Sequence, residues 1–163
     1  MPAGNTYVAI ATQTLGSAAA SVTFSSIPST YTDLVLVVSA QNTSSLNNDQ
    51  ITFNGDTSTN YSGTYLQGNS SSPSSGRVTN TSNAYTMEFT STGLSPLITN
   101  IMNYSNTTTF KTLLQRGGSA SDRTAAWVNL WRSTSAITSL SIATFGGNFA
   151  TNSTFSLYGI ASA

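Results

Sequence analysis

The acid–base chemistry open to this 163-residue chain rests on five carboxylates, Asp33, Asp49, Asp56, Glu88 and Asp122, because His and Cys are absent. Without imidazole there is no side chain that shuttles protons near neutrality, and without thiol there is no soft nucleophile or metal ligand. Glycoside hydrolysis needs two carboxyl groups at a defined separation across a sugar, and the spacing of these five nominates no such pair. Asp49 and Asp56 bracket Asn54 and together offer oxygen ligands of the kind a weak Ca²⁺ site uses. The same residues bond local amides in turns, and that is the reading adopted here. Serine is abundant, but no His or Ser/Lys pair stands ready to activate it. Lys111, the single lysine, falls inside a strand-like segment and reads as a surface or interface charge. The expectation is a protein that is not an enzyme and carries no metal and no cofactor.

What remains is a chain of hydroxyls and amides. It has 28 Ser, 27 Thr and 15 Asn against ten charged residues, five of each sign. The resulting neutrality removes the attraction for phosphates, and Arg77, Lys111, Arg116, Arg123 and Arg132 are scattered, so neither nucleic acid nor an anionic membrane is an expected partner. Low net charge also weakens repulsion between copies. No apolar stretch approaches the ~20 residues of a spanning helix, and the opening residues lack a basic signal-peptide start, so synthesis in the cytoplasm is expected. Seven Asn-x-Ser/Thr sequons are close to what this composition supplies by chance.

These residues must be held by strands. Residues 6–14, 21–26, 34–38, 50–53, 61–67, 84–90, 97–104, 109–115, 124–132, 136–144 and 154–160 combine β-branched and aromatic types with turn residues between them. The run Leu34-Val35-Leu36-Val37-Val38 predicts a strand buried on both faces. Asn54-Gly55 accepts positive φ at both residues and predicts a hairpin joining 50–53 to 61–67, with a longer loop as the other choice. Residues 68–83 are almost wholly polar and predict an exposed loop. The strand at 154–160 is expected to pair with residues 6–10. No helical period persists. The whole predicts an all-β, single-domain β-sandwich, jelly-roll-like, spanning residues 1–163 with about nine or ten strands.

Trp127, Asn129 and Trp131 share one face of the strand at 124–132, and Val128 and Leu130 share the other. Two tryptophans on one face suit a sandwich core first, because large aromatics dominate such cores, and a platform for a carbohydrate or a partner subunit second.

Five stretches carry a resemblance: TYVAIATQTLGSAAASVTFSSIPSTYTDLVLVVSA, FNGDTSTNYSGTYL, NYSNTTTFKTLL, WRSTSAITSLSI and STFSLYGI, about half of the chain in all. Together they resemble the small all-β virion structural proteins of tailed bacteriophages, particularly cyanobacterial and marine ones. The resemblance implies a capsid decoration (cement) protein on the virion surface. Its implied partners are the major capsid protein and copies of itself, as a homo-oligomer with a trimer favoured over a dimer. Contacts are then expected from Pro2, Asn5 and Tyr7 in the N-terminal segment and from Trp127 and Trp131. An alternative within the same context is a tail-fibre or receptor-binding module that holds host glycans on its aromatic faces.

Overall fold

Side chains alternate between buried and exposed along most strands of the computed structural model, which describes residues 6–44, 49–121 and 123–161. That period of two is what a sheet with one covered face imposes on its sequence. In chain order the strands are β1 (Tyr7–Thr14), β2 (Ser21–Phe24), β3 (Asp33–Ala40), β4 (Gln50–Phe53), β5 (Tyr61–Gly68) and β6 (Pro73–Thr81). They continue as β7 (Ala84–Tyr85), β8 (Ser95–Met102), β9 (Lys111–Gly118), β10 (Thr124–Trp131), β11 (Leu140–Ala143) and β12 (Thr154–Ile160). There is no helix among the described residues. The all-β sandwich read from the sequence is therefore the fold, with twelve strands rather than nine or ten.

Two antiparallel sheets share the strands unequally. Eight lie in the order β1-β12-β3-β8-β9-β10-β5-β6, and four in the order β2-β11-β4-β7. The core between them is built from the inward rows, including Leu34, Leu36 and Val38 of β3, Ile51 and Phe53 of β4, and Leu157 of β12. The terminal strands pair as expected, from Tyr7 opposite Ile160 to Thr14 opposite Thr154, with a bulge between Ala9 and Ala11.

Four expectations are corrected. The run 34–38 is nearly buried on both faces, since Leu34, Val35, Leu36 and Val38 are, but Val37 is 37% exposed. Its strand lies inside the large sheet, whose outer side no second sheet covers. The polar stretch 68–83 is not a loop. Most of it is β6, paired with β5 from Gly68 opposite Pro73 to Tyr61 opposite Thr81. An edge strand in water needs no apolar alternation, so its hydroxyl-rich sequence resembles a loop while its backbone forms a ladder. The turn is only residues 69–72, where the Asn69 side-chain oxygen accepts the amides of Ser71 and Ser72, both at 2.9 Å.

The Asn54-Gly55 turn exists but closes no hairpin. Both residues have positive φ, 53° and 69°, and the Asp56 amide donates to the Phe53 carbonyl at 2.8 Å. β4 nevertheless pairs with β11 and β7, while β5 crosses to the other sheet between β10 and β6. Tertiary bonds decide this: Asn54 Oδ1 accepts the amides of Thr138 and Ser139, and its Nδ2 donates to the Ala136 carbonyl at 2.8 Å. Finally, the strand expected at 84–90 stops after Tyr85. Beyond it the backbone turns to Asp49, whose carbonyl accepts the Thr86 amide and whose carboxylate accepts the Phe89 amide.

Candidate assembly surface

The eight-stranded sheet has an inner face and an outer face, and the residues singled out from the sequence divide between them. Trp127 and Trp131 point inward and are 4% and 2% exposed. Trp131 sits against Phe53 and Tyr61 at ring-centroid distances of 5.4 and 6.3 Å, and its Nε1 donates to Asp56 Oδ2 at 2.7 Å. Trp127 is covered by Tyr65 and Tyr85 at 4.6 and 6.0 Å. Neither ring offers a face to a ligand, which corrects the platform reading in favour of the core. Tyr7 does reach the surface: it lies on β1, 59% exposed, edge-on to Tyr158 at 6.4 Å. Pro2 and Asn5 lie outside the described residues.

Two charged groups that the sequence placed on turns or the surface, Asp49 and Lys111, are buried, while Asp56 stays in its turn. Asp49 is fully buried, with one carboxylate oxygen on the Phe89 amide at 2.9 Å and the other, Oδ1, without a partner. Burial pushes its carboxyl up to about 7, against the opposing Phe89 bond and with help from the charge of Glu88. Asp56 behaves in the opposite way. Burial disfavours its charge, but hydrogen bonds from Asn60, Trp131 and Ser58 together outweigh that and hold the carboxyl at about 2. The two aspartates thus serve separate elements, Asp56 as a turn residue and Asp49 as a buried acid. Among the described residues no three His, Cys, Asp or Glu groups come together as a metal site would require. Lys111 is buried rather than a surface charge: its Nζ donates to the carbonyls of Thr109 and Thr134 at 2.7 and 3.4 Å, and burial lowers its pKa.

Between the tryptophans runs a polar seam. Asn129 Nδ2 donates to the Tyr85 carbonyl at 3.0 Å and to Gln115 Oε1 at 3.2 Å, tying the large sheet to β7. Gln115 Nε2, Asn129 Oδ1 and Thr99 Oγ1 are buried there with no partner. A seam of this kind costs stability relative to an apolar one and fixes how the sheets register.

The outer face is different. The strand registers bring Arg77, Thr64, Val128, Leu114, Asn100 and Val35 into one lateral row. The next row reads Ser75, Leu66, Ala126, Arg116, Ile98 and Val37. Leu66 is 63% exposed, Val128 48% and Met102 43%. An antiparallel sheet with one solvated face normally alternates apolar-in with polar-out; here much of the outward set is apolar too. Its charges are few: Arg116, which donates to Asn100 Oδ1 at 3.3 Å, and Arg77. Two shallow depressions mark it, about 280 Å³ beside Thr64, Arg77 and Val128 and about 480 Å³ beside Leu66, Arg116 and Ala126.

No protein-family model, curated protein or solved structure matches this chain. The surface must be read from its own chemistry. It presents apolar side chains and hydroxyls in rows across several strands. Val128 and Leu130 occupy the face of β10 opposite the tryptophans, as their alternation in the sequence indicates.

Proposed function

We propose that this chain is a virion structural protein of a tailed bacteriophage, a capsid decoration (cement) protein that lays the outer face of its large sheet against the shell and braces neighbouring major capsid subunits. The observation that carries the structural role is the uncovered apolar face holding Leu66, Val128 and Met102. The virion context rests on the sequence resemblance. Eight strands at about 4.8 Å and eight residues at about 3.4 Å give a face of roughly 1,000 Å², enough for one side of a specific protein interface. Apolar rows would exclude water at its centre, and the Ser, Thr and Asn side chains between them would complete hydrogen bonds at the rim. The tail-fibre alternative loses its stacking residues, since Trp127 and Trp131 are buried.

Cosedimentation with expanded capsids that lack the protein tests this reading. Wild type should bind, and Val128→Arg and Leu66→Arg should not, with melting temperatures unchanged. Binding that survives both substitutions would remove the face from the mechanism, and no binding by wild type would remove the cement role.

A further inference from the structure

The sandwich has four sheet edges, and three of them are guarded. β1 carries the bulge between Ala9 and Ala11, β2 is four residues long and β7 is two. Bulges and short edge strands are the usual means of preventing strand addition. β6 is long, and its own bulge, between Thr79 and Thr81 with Asn80 at φ 54°, lies only at its far end. It runs nine residues, keeps an unbroken register with β5 from Ser62 opposite Thr79 to Gly68 opposite Pro73, and no strand among the described residues pairs with its other side. Its side chains are small and exposed at Ser74 and Ser75, it has no lysine, and its one proline stands at the first position.

We propose that the free edge of β6 pairs antiparallel with β6 of a second copy, joining two large sheets into one continuous sheet. A two-fold axis normal to the sheet must pass through a residue that faces its own copy, because opposed side chains lie on the same face. Centring on Arg77 sets like charges against each other, which disfavours that register. Centring on Gly76 places Arg77 opposite Ser75 of the partner and Val78 opposite Ser74. Gly76 has a further qualification. The Tyr65 ring lies across it, so that a Cβ there would come within 2.6–2.7 Å of Tyr65 Oη, Cε1 and Cζ. The phenol thus reaches over the last strand towards the free edge, and a glycine facing a glycine lets the two Tyr65 rings approach across the junction. This edge is distinct from the outer face, so the pairing does not depend on what that face binds. Strand addition alone buries little side-chain area and makes a weak dimer in dilute solution, one that a many-copy surface strengthens through high local concentration.

The register makes a charge test possible at Ser75, an exposed position. Glutamate there would face Arg77 of the partner and lysine would repel it, twice per dimer in each case. Sedimentation equilibrium of wild type, Ser75→Glu and Ser75→Lys should show a reversible dimer, tightened about fivefold by Ser75→Glu and weakened at least as much by Ser75→Lys. Circular-dichroism melts of the three should coincide. A protein monomeric in all three forms up to millimolar concentration overturns the proposal, as does a dimer whose constant ignores both substitutions. Weakening by both would overturn the Gly76-centred register.

Discussion

The two faces of the large sheet are made by the same strands, residue by alternate residue, yet they answer to different demands. The inner face of β10 carries Ala125, Trp127, Asn129 and Trp131, all buried, while its outer face carries Ala126 and Val128 exposed and Leu130 half-buried. Inside, side chains are fixed by neighbours from the small sheet. Outside, no second sheet faces the side chains, and Leu66, Val128 and Met102 are largely exposed. Hydrophobicity alone therefore does not mark the core of this protein. What marks it is the presence of an opposing layer, and where that layer is absent the same pattern is left at the surface.

Substitutions on the two sides should separate by their cost to the isolated chain. Trp131→Ala, on the inner side, should lower unfolding free energy by about 3–5 kcal/mol in urea titrations, because it opens a cavity beside Phe53 and Tyr61. It should also let the Asp56 carboxyl rise towards its ordinary value, since one of the bonds holding it low is lost. Leu36→Ala, at the centre of β3 and fully buried, should cost about 2–5 kcal/mol by the same mechanism.

Asp49, buried beside β4 of the small sheet, gives the interior a pH dependence. Its carboxyl titrates near 7 in the folded protein and near 3.8 as an unperturbed group. Between those values the folded state holds a proton that the unfolded state has released, so stability falls as pH rises from about 4 to about 7, by about 4 kcal/mol, and is level above that. Asp56 works at the other end: its depressed carboxyl adds stability above about pH 4 that disappears as pH falls towards 2. Thermal melts should thus peak in mildly acidic buffer, and Asp49→Asn should abolish the decline between pH 4 and 7. The smallest effect belongs to the outer face. Val37→Ser and Val128→Ser should each change unfolding free energy by no more than about 0.5 kcal/mol. A larger loss in the monomer would mean that the face is structural rather than free.

Much of this fold was legible in the sequence because local patterns suffice to name strands. β1, β2, β10 and β12 lie within a residue or two of their expected positions, and the pairing of β1 with β12 follows from their content. Sheet membership was less legible, and Asn54-Gly55 shows why. A type of turn reports two backbone conformations, while the choice between hairpin and crossover was made by Thr138 and Ser139, more than eighty residues away. β6 escaped for a different reason: an edge strand is specified by its backbone partner, and serine says little about backbone partners. The exposed outer face was only partly legible: the tryptophans proved to be core, and Leu66 and Val128 could be placed on one exposed face only once register aligned their strands.

The placement of β12 has a consequence for how the molecule comes into being. This last strand in chain order is inserted between β1 and β3, so that Tyr158 stands opposite Ala9 on one side and Val35 on the other. During synthesis β1 and β3 have each emerged long before the strand that joins them exists. The sandwich cannot close as the chain leaves the ribosome, and its earliest strands must wait with unsatisfied backbones for a contact separated by some 150 residues. Such remote pairings set a high entropic barrier and folding times of milliseconds to seconds. A chain neutral enough to tolerate its own copies must survive that interval without meeting them, and the hydroxyl-rich composition keeps the waiting strands hydrated until the final one arrives.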